Sequence, residues 1–128
     1  MQRYIIQTDR APAAIGPYSQ AVVAGDFVYC SGQIPLDPST GELVGGDDVA
    51  AQTTQVMRNL EAVLSAAESS FAKVVKATIY LQDLSTFASV NAVYATFFEG
   101  VEPPSRATVE VAALPRGALV EIELVALR

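Results

Sequence analysis

The chain has no histidine, one cysteine and few charges, with Asp, Glu, Lys and Arg making up 17% of its 128 residues. The missing histidine excludes Ser-His-Asp and Cys-His nucleophile systems, His-ligated metal sites and imidazole acid–base chemistry together. Any reaction must run on carboxylates, Arg, Lys, Tyr, hydroxyls, backbone groups and water. The single Cys30 rules out an intramolecular disulfide, which fits a reducing compartment. Its neighbours Val28 and Tyr29 mark it as an interior hydrophobe rather than a nucleophile. Positive charge is scarce: 8 Lys and Arg against 14 Asp and Glu give a net charge of −6 and a pI near 4.4. Such a chain repels phosphate backbones and anionic membrane surfaces, so neither nucleic acid nor membrane is expected as a partner. No run approaches the roughly 18 apolar residues of a membrane span, and Met1 to Asp9 carries no secretory signal. The expectation is a cytoplasmic protein.

What the chain has is apolar surface. Hydrophobic residues make up 51% of it and mean hydropathy is +0.31. At 128 residues one domain, 1–128, can bury about two-thirds of its unfolded surface without a disulfide or metal. The apolar excess is expected in subunit contacts, because so few charges cover a small sphere poorly.

Residues 2 to 7 read as a strand, and 11 to 17 as a loop stiffened by Pro12 and Pro17. Residues 19 to 24 and 27 to 31 flank a Gly25-Asp26 hairpin turn. Ser31 to Gly41 is dense in turn formers. From an N-cap at Asp47 or Asp48 a helix runs to about Ser69, with Val49, Val56, Leu60, Val63, Leu64 and Ala67 as its apolar stripe. Residues 72 to 82 alternate, with Val75, Ala77, Ile79 and Leu81 on one side and Lys76, Thr78, Tyr80 and Gln82 on the other. A second helix is expected from about Asp83 to Gly100, striped by Leu84, Phe87, Val90, Asn91, Tyr94, Phe97 and Phe98. Asn91 is the polar exception and needs a partner.

Two more strands end the chain. Alternation puts Arg106, Thr108 and Glu110 on one face of the first, and Glu121 and Glu123 on one face of the second. With both helices amphipathic, the economical fold is α+β: a mixed sheet with two helices packed on one face. The uncovered face is then expected to carry Lys76, Thr78, Tyr80, Arg106, Thr108, Glu110, Glu121 and Glu123, so that the guanidinium and carboxylates share a side.

Several stretches together resemble the RidA (YjgF) family of reactive-intermediate enamine/imine deaminases. They are Ala11 to Gln20, Ser31-Gly32-Gln33-Ile34-Pro35, Gly41-Glu42, Phe87 to Asn91, Tyr94, Phe97-Phe98, and Pro104-Ser105-Arg106-Ala107 through Leu114-Pro115 to Val120-Glu121-Ile122. They span nearly the whole chain in matching order. The resemblance implies a homotrimer of chorismate-mutase-like subunits with a central β-barrel and sites between subunits. It also implies hydrolysis of short 2-imino acids, 2-iminobutanoate and 2-iminopropanoate, to 2-oxo acids and ammonia with no cofactor or metal. By resemblance Arg106 grips the substrate carboxylate, Glu121 moves the proton, and Tyr18, Ser31, Gly32, Asn91 and Thr108 line the site. Glu110 and Glu123 are assigned to barrel lining or subunit pairing. For Gly32 a turn with positive φ is the plainer alternative. Many relatives carry Cys where this chain has Thr108, which leaves that position only a backbone contact. A second reading is a non-catalytic trimer that binds small carboxylates. RNA cleavage, claimed for some relatives, ranks last for so acidic a chain.

Overall fold

A computed structural model describes residues 2–128. Its strands are β1 (Arg3–Ile6), β2 (Ala21–Ala24), β3 (Phe27–Gln33), β4 (Val74–Leu81), β5 (Ser105–Glu110) and β6 (Val120–Leu127), and its helices are α1 (Val49–Ala66) and α2 (Phe87–Thr96). The strands form one mixed sheet in the order β1-β2-β3-β6-β4-β5. All neighbours are antiparallel except β4 and β5, which are parallel because α2 crosses between them. No described helix is long and apolar enough to cross a membrane.

α1 begins where the Asp48 carboxylate accepts hydrogen bonds from the Ala50 and Ala51 amides, at 3.0 and 3.2 Å. It lays Val56, Met57, Leu60, Val63 and Leu64 on the sheet, and all five are buried. Beneath them lie Ala77, Ile79 and Leu81 of β4 and Val120, Ile122, Leu124 and Ala126 of β6. Each large aliphatic side chain buried in this layer contributes about 1.5–3 kcal/mol. Cys30 belongs to the same core, and burial pushes its thiol up to about 12, far from reactive at neutral pH.

Three expectations are corrected. Val75 does not join the buried side of β4: Val74 pairs with Ala126 and Lys76 with Val125, so a bulge turns Val75 outward and buries Val74 instead. Leu84 sits exposed in a short 3-10 turn before α2 rather than on the helix stripe. The third concerns β5. Its register pairs Arg106 with Ala77, Thr108 with Ile79 and Glu110 with Leu81. Cross-strand partners share a face, so Arg106, Thr108 and Glu110 lie on the helix side, while Glu121 pairs with Tyr80 and Glu123 with Thr78 on the open side. Alternation fixes which residues go together but not which layer they meet.

The open face carries Ile5, Phe27, Tyr29, Val109 and Leu127, all substantially exposed. Single exposed apolar residues are ordinary; a sheet face studded with them is not.

Candidate active site

The predicted residues fall into two clusters on opposite sides of the sheet. The first is built on α2 and β5. Phe87, Asn91 and Tyr94 are spaced i, i+4 and i+7, hence on one face of α2. The Arg106 guanidinium lies over the Phe87 ring at 5.2 Å and the Tyr94 ring at 5.0 Å, and its Nη1 donates to Asn91 Oδ1 at 2.6 Å. Cation–π stacking is why a charged residue can occupy the helix side of an edge strand. The amide therefore finds its partner in the arginine. The one ion pair among the described residues joins Arg128 to Glu68, so Arg106 has no carboxylate partner among them.

Around this clamp, the Tyr94 hydroxyl is buried without a hydrogen-bond partner; burial raises its proton affinity and the Arg106 charge opposes that rise. Thr108 lies on the same face as Arg106, half-buried opposite Ile79. Glu110, expected to line a barrel or pair subunits, instead accepts the Leu84 amide at 2.8 Å and ties down the entry to α2.

The second cluster is built on β3 and β6. Between Cys30 and Gln33 the ladder slips by a bulge, and Gly32 sits inside it. A Cβ on Gly32 would stand 2.1 Å from Glu121 Oε2, closer than atoms can approach. Gly32 is not among the residues with positive φ, so its lack of a side chain makes room for the Glu121 carboxylate rather than a turn. Ser31 secures the bulge: its hydroxyl donates to Ser19 O at 2.6 Å and its amide to Gln20 O at 3.0 Å. Tyr18, in the loop before β2, is exposed, and its hydroxyl accepts from the Ile15 amide at 3.3 Å.

Glu121 is half-buried, and its carboxyl holds its proton above the usual carboxylate range, first through burial and second through the neighbouring Glu123 charge. Glu123 Oε1 accepts from the Tyr80 hydroxyl, which pushes Tyr80 up to about 12.

Sequence reasoning passed over several positioning residues. The buried Gln20 side chain holds the N-terminal loop, accepting from the Thr8 amide at 2.7 Å and donating to Pro12 O at 2.8 Å. Gln52 donates to Gly46 O and accepts from the Leu119 amide, both at 2.8 Å. Asn59 donates to Leu36 O at 3.0 Å. Their one signal was a polar residue inside a hydrophobic pattern. Phe87 and Tyr94 lay in stretches that carry the family resemblance, but their own pattern showed only core spacing.

Arg106 and Glu121 do not meet within one chain. They lie on opposite faces, two strand spacings (about 10 Å) apart across the sheet and three residues (about 10 Å) apart along it.

Residues 8–128 match the Endoribonuclease L-PSP family. The 2-iminobutanoate/2-iminopropanoate deaminase of Mus musculus is 50% identical over 126 residues, covering 98% of this chain and 92% of that protein. The crystal structure of YyfA, a Rid-family protein of Yersinia pestis, aligns with a TM-score of 0.97 at 48% identity, over 99% of this chain and 100% of that one. E. coli TdcF with bound serine aligns at 0.93 with 43% identity, over 98% of each. This chain belongs to the Endoribonuclease L-PSP family, the Rid (YjgF) proteins.

Proposed function

We propose that the protein hydrolyses short 2-imino acids to 2-oxo acids and ammonia at sites completed between subunits of a homotrimer. The observation that carries this reading is Arg106: a guanidinium stacked on two rings, aimed by Asn91 and left without a carboxylate in a chain of net charge −6. A planar fork held this way suits a small carboxylate bound through two parallel hydrogen bonds. Two relatives named for this activity, at 50% and 48% identity, support the same substrate.

The chemistry follows from the two clusters. With the substrate carboxylate on Arg106, its C=N carbon faces Glu121 of the adjoining subunit. Glu121 takes a proton from water as the water oxygen bonds to that carbon, and the C=N electron pair moves to nitrogen, which takes that proton from Glu121 to give the carbinolamine. Glu121 then takes the hydroxyl proton as the C=O bond forms and passes it to the amine as the C–N bond breaks, leaving the 2-oxo acid and ammonia. A carboxyl whose proton affinity is raised by burial is a stronger proton acceptor than an ordinary one and can hand the proton on to the amine. Because the imine is already reactive, acid–base help of about 10²- to 10⁴-fold is sufficient.

A trimer, a closed ring of head-to-tail contacts, gives each Arg106 cluster a Glu121 cluster from its neighbour and covers the apolar open face. The same reading places the protein in the cytoplasm and takes 1–128 as one domain. The serine bound to TdcF favours a second reading, a non-catalytic binder of small carboxylates. The two separate on one experiment. The purified protein is added to a pyridoxal-phosphate-dependent dehydratase releasing 2-iminobutanoate, and imine decay is followed. Wild type should accelerate decay, Arg106→Lys should act mainly by raising KM, and Glu121→Ala should keep 2-oxobutanoate binding by calorimetry while losing the acceleration. Equal decay with Glu121→Ala and wild type removes the catalytic reading.

A further inference from the structure

On the open face β6 carries Glu121 and Glu123 two residues apart, so both side chains project the same way. Tyr80 of β4 stands directly across from Glu121, and Thr78 across from Glu123. The Tyr80 hydroxyl does not turn to its direct partner. It donates diagonally to Glu123 Oε1. Glu121, packed over the bare backbone of Gly32, is left with no donor from the described residues and a second carboxylate beside it.

The other groups on this face do not change that balance. β5 presents Ser105, Ala107 and Val109, none of them titratable near neutral pH. β3 presents Tyr29 opposite Val125, and Ser31 spends its hydroxyl on Ser19. Lys76 stands at the far end of β4, also opposite Val125, and is exposed. Both helices are on the other side.

We propose that Glu123 and Tyr80 are positioning residues for the hydrolysis: Tyr80 holds the Glu123 carboxyl on the same sheet face beside Glu121, and that fixed neighbour tunes the proton transfer Glu121 makes to the leaving nitrogen. The inference rests on Glu121 being the acid–base group of the proposed reaction. A carboxyl of higher proton affinity is the stronger acceptor of a proton from water, so a group beside Glu121 that raises that affinity assists the first step. Burial alone raises its affinity, and the Glu123 charge adds to it in the same direction. Tyr80 contributes by orientation, since without it the Glu123 carboxylate is free to turn toward water.

The test is a carbon-13 carboxyl NMR titration of Glu121 in the full-length protein, with kcat and KM for 2-iminobutanoate measured across the same pH range. Glu123→Gln keeps an acceptor for Tyr80 and removes the charge. It should move the Glu121 midpoint to lower pH and carry the acidic limb of kcat with it, leaving KM unchanged. Glu123→Asp restores the charge and should return most of the shift. Tyr80→Phe should lower the midpoint by less than Glu123→Gln does. A Glu121 midpoint that stays in place in Glu123→Gln overturns the proposal, whatever the activity. A midpoint that moves in a protein that never accelerates imine decay supports the coupling and strikes only the deaminase reading.

Discussion

Gly32 is the position where backbone gives way to a carboxylate. Any Cβ there meets Glu121 Oε2 at 2.1 Å, so Gly32→Ala must displace the acid, the β3 bulge or both. Overpacking of this kind costs about 1–3 kcal/mol. A shift of about 1 Å in a reacting group lowers rate about 10²-fold. The expected result is a kcat down about 10²-fold with a modest loss of stability, read by imine decay and thermal melting. Glu121 also leaves a signature in stability. A carboxyl whose folded proton affinity is raised favours folding in its neutral form, and that contribution is lost as pH rises through the folded pKa. Glu121→Gln should therefore melt at a higher temperature than wild type near pH 8, and the difference should vanish below about pH 4, where both side chains are neutral. Thermal scans at the two pH values check the sign.

At the scale of elements, the structure depends on buried amides as much as on aliphatic packing. Gln52 joins the start of α1 to the Leu119 amide just before β6, which carries Glu121. Gln52→Leu keeps the volume but strands the Gly46 carbonyl and the Leu119 amide, a loss of about 2 kcal/mol or more that denaturant unfolding should show. Such roles were not legible in the sequence, because a glutamine within an apolar stripe does not reveal which distant backbone group it will meet. The elements themselves were legible: the Asp48 cap, the Gly25-Asp26 turn and the alternation of β6 each follow from local chemistry. β5 was not. An edge strand has no second neighbour to reveal its inward face, and the hydropathy rule put Arg106 on the wrong one. The rings of Phe87 and Tyr94 reverse that choice, and their spacing on α2 looked like core packing alone. Val75 failed for a related reason, since a single bulge resets the alternation that precedes it.

For the whole molecule, the separation of Arg106 from Glu121 is the fact that every reading must accommodate. Each chain carries Arg106 and Glu121 on opposite faces of its sheet, and an open sheet face with Ile5, Phe27, Tyr29 and Leu127 exposed. If activity belonged to a single chain, these two residues could not cooperate. If neighbours in a ring supply complementary halves, two defective chains should repair one another. Arg106→Ala and Glu121→Ala are each expected to be inactive and to remain trimeric by light scattering. Unfolded together in equal amounts and refolded, they form mixed rings in which one interface unites an intact Arg106 with an intact Glu121. Random mixing then predicts recovery of about a quarter of wild-type imine hydrolysis. No recovery from verified mixed trimers would contradict the shared site.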